Sequence, residues 1–151
     1  MITRPTQAGD VPALSKVLDA TDLFPSELLK DMIAARETGD GTLWLTADDD
    51  GEPCGFCVTS PEALAEGTWN MLAIAVLPDR QGTGIGKALV AHTETLLQQH
   101  NARILIVDTS GTPEFAATRR FYLRSGFDEE ARIRDFWGPS DDKVVFWKAM
   151  R

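Results

Sequence analysis

Leu77-Pro78-Asp79-Arg80-Gln81-Gly82-Thr83-Gly84-Ile85-Gly86-Lys87 joins two segments of different periodicity. On its left, Trp69 to Leu77 is rich in apolar residues and reads as a strand that Pro78 and Asp79 break. On its right, Ile85, Ala88, Leu89, Leu96 and Leu97 recur at helical spacing, so a helix is expected from about Gly84 to Gln99. Three glycines therefore fall at a helix N-terminus. Without Cβ atoms in the way, backbone N–H groups can converge on one concavity, and the unpaired N–H groups of a first helical turn add the positive end of the macrodipole. Arg80 and Lys87 flank this anion-binding turn. Two phosphate loops do not fit its spacing. A Walker A loop requires Gly where Gln81 stands and Ser or Thr where Ala88 stands. A dinucleotide fingerprint requires Gly where Lys87 stands.

Working outward, Ile2 to Arg4 reads as an opening strand, and Asp10 is a candidate N-cap for a helix with Val11, Leu14, Val17 and Leu18 on its apolar stripe. A second helix is expected from Pro25-Ser26-Glu27, burying Leu28, Leu29, Met32 and Ile33 and stopped by Thr38-Gly39-Asp40-Gly41. From Thr42 the period becomes two, with Leu43, Leu45 and Ala47 alternating with Trp44 and Thr46, and Asp48-Asp49-Asp50-Gly51 turns the chain into a strand from Cys54 to Thr59. Arg103 to Val107 is nearly continuous Ile/Leu/Val, as in a strand buried on both faces. A helix from about Pro113 to Arg124 ends at Ser125-Gly126, and closing strands near Phe127 to Phe136 and Lys143 to Lys148 flank a Gly-Pro-Ser-Asp-Asp turn. The order β-α-α-β-β-β-α-β-α-β-β is that of an α/β (α+β) domain with a mixed sheet and helices on its faces.

The length of 151 residues and the absence of repeats or linkers suit one domain, 1–151. Fifteen Lys and Arg against 23 Asp and Glu leave a net charge of −8, which disfavours sequence-independent nucleic-acid binding, so an anionic ligand must be held locally. No apolar run approaches a membrane span, and neither a secretory leader nor a disulfide framework is visible, so a cytoplasmic location is expected. Cys54-Gly55-Phe56-Cys57 lies on a strand, where an offset of three sends the two sulfurs to opposite faces, so both read as structural cysteines. With His92 and His100 eight apart, no metal site is completed.

Gln81-x-x-Gly84-x-Gly86 after Ile74-Ala75-Val76-Leu77-Pro78 resembles the coenzyme A pyrophosphate loop of the GNAT superfamily of N-acetyltransferases. Ala117-Thr118-Arg119-Arg120-Phe121-Tyr122-Leu123-Arg124-Ser125-Gly126-Phe127 is similar to that family's second signature, and the preceding elements also match in order. The resemblance implies a mostly antiparallel sheet of six to seven strands with about four helices. It implies acetyl-CoA as co-substrate, no metal, and a small-molecule or peptide amine as acceptor. One position departs from the pattern: many members carry Asn seven residues before the Tyr, and Phe115 stands there.

On this resemblance, the backbone of Ile74, Ala75 and Val76 pairs with the pantetheine arm, and Gln81, Gly82, Thr83, Gly84, Ile85, Gly86 and Lys87 hold the pyrophosphate. Tyr122, the sole tyrosine, stands beside the cofactor sulfur as general acid. A phenol is protonated at neutral pH and can donate to a thiolate. Phe-Tyr on a helix is equally core packing. Asp108 is the candidate base that takes the proton of an ammonium; Asp135, Glu27 and an ordered water are alternatives. The acceptor is expected between the Leu23-Phe24-Pro25 junction and Phe136-Trp137-Gly138, with Trp69 and Asn70 in reach, which nominates Phe24, Asn70 and Trp137 as acceptor contacts. The aromatic closing strands also allow a homodimer. A non-catalytic acyl-CoA sensor is the alternative reading; it would keep the glycine loop and dispense with Tyr122 and a base.

Overall fold

The computed structural model describes residues 1–35 and 39–151. Seven strands form one sheet in the order β1-β2-β3-β4-β5-β7-β6, with β1 at Ile2–Pro5, β2 at Leu43–Asp49, β3 at Glu52–Pro61, β4 at Thr68–Val76, β5 at Ile104–Ser110, β6 at Asp128–Gly138 and β7 at Asp141–Ala149. Only β4 and β5 run parallel; every other neighbour is antiparallel. Among the described residues, four α-helices complete the fold, α1 at Val11–Thr21, α2 at Leu29–Ala35, α3 at Ile85–Gln99 and α4 at Ala116–Arg124. Among the described residues, no helix is long and apolar enough to cross a membrane.

The core divides across the sheet. Leu14, Val17 and Leu18 of α1 and Leu29 and Ile33 of α2 pack on Trp44, Phe56, Val58, Ala73 and Ala75. Ile85, Leu89, Val90 and Leu97 of α3 and Tyr122 of α4 pack with Leu45, Met71, Leu105, Val107 and Phe146. Leu28 departs from its expected place: a 3-10 turn at Ser26–Leu28 precedes α2, changes the helical phase and leaves Leu28 half exposed. Of the expected stop after α2, Thr38 lies outside the described residues, while Gly39 and Gly41 both take φ of +82°. In β5 the inward residues Leu105 and Val107 are buried and Ile104 and Ile106 only partly so, because no helix fully covers the second face there.

Two bulges set which side chains share a face. Ala47 pairs with Gly55 and Asp48 with Pro53, so Cys54 is an extra residue. It reverses the alternation, and Cys54 and Cys57 both join the cluster beneath α3 instead of facing opposite ways. Both are free and buried; burial raises both thiols, Cys57 to about 12, so neither is a reactive thiolate at neutral pH. In β4 the extra residue is Leu72, between the pairs Val58 with Ala73 and Thr59 with Met71. Trp69 and Met71 thus enter the α3 cluster, whereas Ala73 and Ala75 face α1.

Near the chain start, Asp10 is buried and accepts both guanidinium arms of Arg4 at 2.8 and 2.9 Å, together with the Gln7 N–H at 2.8 Å. The Arg4 hydrogen bond holds its carboxyl below the ordinary value. A depressed native pKa stabilises the fold fully above the unfolded value of about 3.9, and that contribution disappears as pH falls from there through the native value. Asp10→Asn is therefore expected to lower unfolding free energy by about 2 kcal/mol at pH 7, since Arg4 keeps Asp48. Urea denaturation should show the gap to wild type narrowing as pH drops below about 4. A gap that widens in acid would contradict this linkage.

Candidate active site

The cleft begins where β4 and β5 part. Their parallel pairing runs from Thr68 with Ile104 to Met71 with Val107 and stops at the Leu72 bulge. Beyond it β4 stays with β3 while Asp108, Thr109 and Ser110 of β5 stay with β7. Leu77 donates its N–H to Cys54 on the β3 side. Alternation then turns the N–H and C=O groups of Ile74 and Val76 toward the open side. Consistent with this, the Val76 carbonyl accepts from Gln81 Nε2 at 3.1 Å. An exposed stretch of strand edge of this kind is a template for an extended ligand.

This edge leads directly to the α3 N-terminus. Gly84 is the N-cap with φ of +92° and no side-chain cap, and the first helical turn begins with Ala88 donating to the Gly84 carbonyl. The preceding N–H groups are those that a helix leaves unpaired. Gly82 also has positive φ, +78°, and a Cβ built on either glycine meets no atom within 4 Å. The concavity is open and lined by amides, which fits a diphosphate. Gly86 has a different reason: its Cβ would approach the Phe121 ring at 3.2 Å, so glycine allows α3 and α4 to pack closely.

The cleft holds about 1130 Å³ and is lined by Ile74, Ala75, Val76, Gln81, Gly82, Gly84, Gly86 and Lys87 of the expected cofactor set. Ile85 turns into the core and Thr83 donates its hydroxyl to the Arg80 carbonyl, so neither lines the wall. Arg80 does not act as a free cation at the loop, because its guanidinium is engaged by Asp49 at the end of β2. The opposite wall comes from Phe115, which precedes α4, and from Ala117, Thr118, Phe121, Tyr122 and Arg124 of α4. Lys148 also lines it, held by Glu94 at 2.6 Å and the Ser125 carbonyl at 2.7 Å. Sequence reading missed this basic residue because both partners are distant in the chain.

Tyr122 is both core and cleft wall. Its ring sits between Phe121, Phe127 and Phe146 at centroid distances of 5.4, 5.7 and 5.3 Å. Burial pushes its phenol above the ordinary value, which keeps the proton on oxygen throughout the physiological range.

Asp108 lies within β5 and reaches the same cleft. Its Oδ2 meets Lys143 Nζ at 3.3 Å and accepts from Asn70 Nδ2 at 3.4 Å. Asn70 also donates to Glu62 Oε1 at 3.0 Å. An amide between two carboxylates uses its NH₂ group on them, which leaves its oxygen without a donor. Asn70 Oδ1 and Asp108 Oδ1 are indeed both buried and unpartnered. Each of these two linked side chains therefore keeps an acceptor that no group of the described residues satisfies.

None of the three nominated acceptor contacts is on the cleft wall, and Asn70 meets it only through Asp108. Phe24 packs edge-on against Phe56 in the α1 core, and Thr21 and Leu23 represent its junction in the cleft. Trp137 is half exposed, donates Nε1–H to the Thr109 carbonyl at 3.2 Å and stands edge-on to Phe136, outside the cleft wall. Asp135, within β6, accepts from the Ser140 N–H of the β6–β7 turn, and Glu27 is exposed on the turn before α2. Among the described residues, no cluster of His, Cys, Asp and Glu could hold a metal ion.

Residues 14–127 match the model of the acetyltransferase (GNAT) family. The chain belongs to this family. A GNAT-family protein from Desulfovibrio desulfuricans superposes with a TM-score of 0.92 at 28% identity, covering 99% of each chain. Two less similar structures share the fold. A ribosomal-protein-alanine N-acetyltransferase from Brucella melitensis aligns at 22% identity and TM-score 0.83, over 99% of each chain. A Salmonella typhimurium protein, solved with its cofactor acetyl-CoA, aligns at 16% identity and TM-score 0.83, over 100% of this chain and 94% of its own. No curated protein sequence matches. The expectation of a mostly antiparallel sheet of six to seven strands with about four helices is met by the seven strands and four α-helices of the described residues.

Proposed function

We propose that this GNAT-family protein is an acetyl-CoA-dependent N-acetyltransferase acting on a primary amine. The reading is carried by one juxtaposition: the unpaired edge of β4, the uncapped glycine turn of α3 and the Tyr122 phenol share a single cleft. A small-molecule or peptide amine is the acceptor in this reading, and the coenzyme A solved with an aminoglycoside 6'-N-acetyltransferase of the same fold supports the choice of donor.

The Ile74 and Val76 amide edge would hold the pantetheine arm, and the N–H groups around Gly82 and Gly84, with Lys87 nearby, the diphosphate. Acetyl-CoA supplies an activated acetyl thioester. The Val76 N–H is oriented to polarise a carbonyl oxygen, as a preorganised donor does where negative charge develops. Asp108 takes a proton from the arriving ammonium, and Asn70 Oδ1 accepts a second N–H and orients the nitrogen. Tyr122 gives its proton to the departing sulfur and recovers one from the nitrogen once the C–N bond has formed. One proton per turnover is released to solvent. Glu62 and Asp108 exceed the single cation Lys143 in charge, which favours a cationic acceptor.

The test is thiol release from acetyl-CoA across a panel of primary amines, with a thermal shift by coenzyme A as control. The buried, protonated Cys54 and Cys57 keep the thiol background low. The expected result is thermal stabilisation by coenzyme A together with turnover on at least one amine. Stabilisation without turnover on any amine would favour the acyl-CoA sensor, and loss of both would remove the reading.

A further inference from the structure

The ion-pair partner of Asp108 is itself a primary amine. In the β5–β7 ladder Asp108 pairs with Val145 and Ser110 with Lys143, so Lys143 stands one diagonal step from Asp108 on the same face of the sheet. Its Nζ lies 3.3 Å from Asp108 Oδ2 and 4.4 Å from the centre of the Phe136 ring. A primary alkylammonium is thus held between a carboxylate of the cleft wall and an aromatic face.

The pair is incomplete. Lys143 meets only Oδ2, while Asp108 Oδ1 is buried and has no hydrogen-bond partner among the described residues. A carboxylate held for the fold alone is normally satisfied at both oxygens. The contact is also free to open. The Lys143 side chain keeps 20% of its surface exposed and Phe136 is half exposed, so the flexible stem can swing to solvent without disturbing the core.

We propose that Lys143 is a tethered occupant of an alkylammonium subsite at Asp108, and that an acceptor amine binds by displacing Nζ from Oδ2. This rests on the reading of Asp108 as the group that meets the acceptor. From Cβ outward the lysine side chain is n-butylammonium, so the ligand class is a primary ammonium on an unbranched apolar stem. A free ammonium of this kind brings the same three donors without attachment to β7 and can reach both Asp108 oxygens. Lys143 therefore raises the concentration of amine needed to fill the subsite, and it neutralises the carboxylate when no amine is there.

The test is an NMR titration of the full chain, without cofactor, by n-butylammonium chloride at constant ionic strength, following the amide shifts of Asn70, Asp108 and Val145. Lys143→Met and Lys143→Gln remove the ammonium, and Lys143→Arg keeps the charge; circular dichroism establishes that each is folded. Both neutral variants are expected to bind n-butylammonium about fivefold more tightly than wild type, or better, and Lys143→Arg no more tightly. Adding Asp108→Asn to Lys143→Met should abolish the gain. Neutral variants that bind no more tightly than wild type, or shifts that leave Asp108 unaffected, would overturn the subsite. The outcome is independent of turnover. Tighter binding in a protein that releases no thiol from acetyl-CoA keeps the subsite and removes the transferase reading, whereas turnover without the variant effect removes only the displacement.

Discussion

Tyr122→Phe is expected to lower kcat by between about 10²-fold and 10⁴-fold, the range set by removing one positioned proton donor, or roughly 3 to 5 kcal/mol on the barrier. The ring keeps its contacts with Phe121, Phe127 and Phe146, so the melting temperature and the affinity for coenzyme A should stay near wild type. That split separates a proton donor from a packing residue, because a packing defect would move stability and binding first. The pH profile gives an independent check. Burial raises the phenol pKa above its ordinary value near 10, so wild-type kcat should show no basic limb from this group below about pH 10. A variant that turns over at the wild-type rate would remove Tyr122 from the chemistry.

Tyr122 is nominated by its place in a family signature, whereas the elements that carry it follow from what periodicity encodes. Helices and strands are local, and the spacing of Ile85, Leu89 and Leu97 or of Leu43, Leu45 and Ala47 places them to within a residue or two. A bulge adds one residue without changing composition, so the extra residues Cys54 and Leu72 are invisible to alternation. The first reverses the expected placement of the two cysteines. The second ends the β4–β5 pairing and so creates the cleft. Charge partners are a second blind spot: Asp49 lies 31 residues from Arg80 and Glu94 lies 54 from Lys148, so sequence overstated one cation at the cleft and missed the other. The aromatic junctions were also misjudged, because Phe24 had an apolar partner in Phe56 that no local pattern reveals.

Gly84→Val carries the second large effect, on cofactor affinity. At φ of +92° a β-branched side chain is strained by about 1 to 3 kcal/mol, and relief of that strain must rotate the peptide groups that open α3. Its Cβ would meet no protein atom within 4 Å, so the new side chain projects into the open concavity that a diphosphate would fill. Strain and occupancy act in the same direction, and the expected loss is about 10-fold to 100-fold or more in coenzyme A affinity, at 1.4 kcal/mol for each factor of ten. Isothermal titration with coenzyme A measures it. Gly86→Val is the informative contrast. That Cβ would stand 3.2 Å from the Phe121 ring and the two γ-methyls must crowd the space between α3 and α4, so this variant should lose melting temperature in the absence of ligand, more than Gly84→Val does. The amide turn would be excluded as the diphosphate cradle by a Gly84→Val protein that binds coenzyme A within twofold of wild type. If only Gly86→Val impaired binding, helix packing and not the turn would govern affinity.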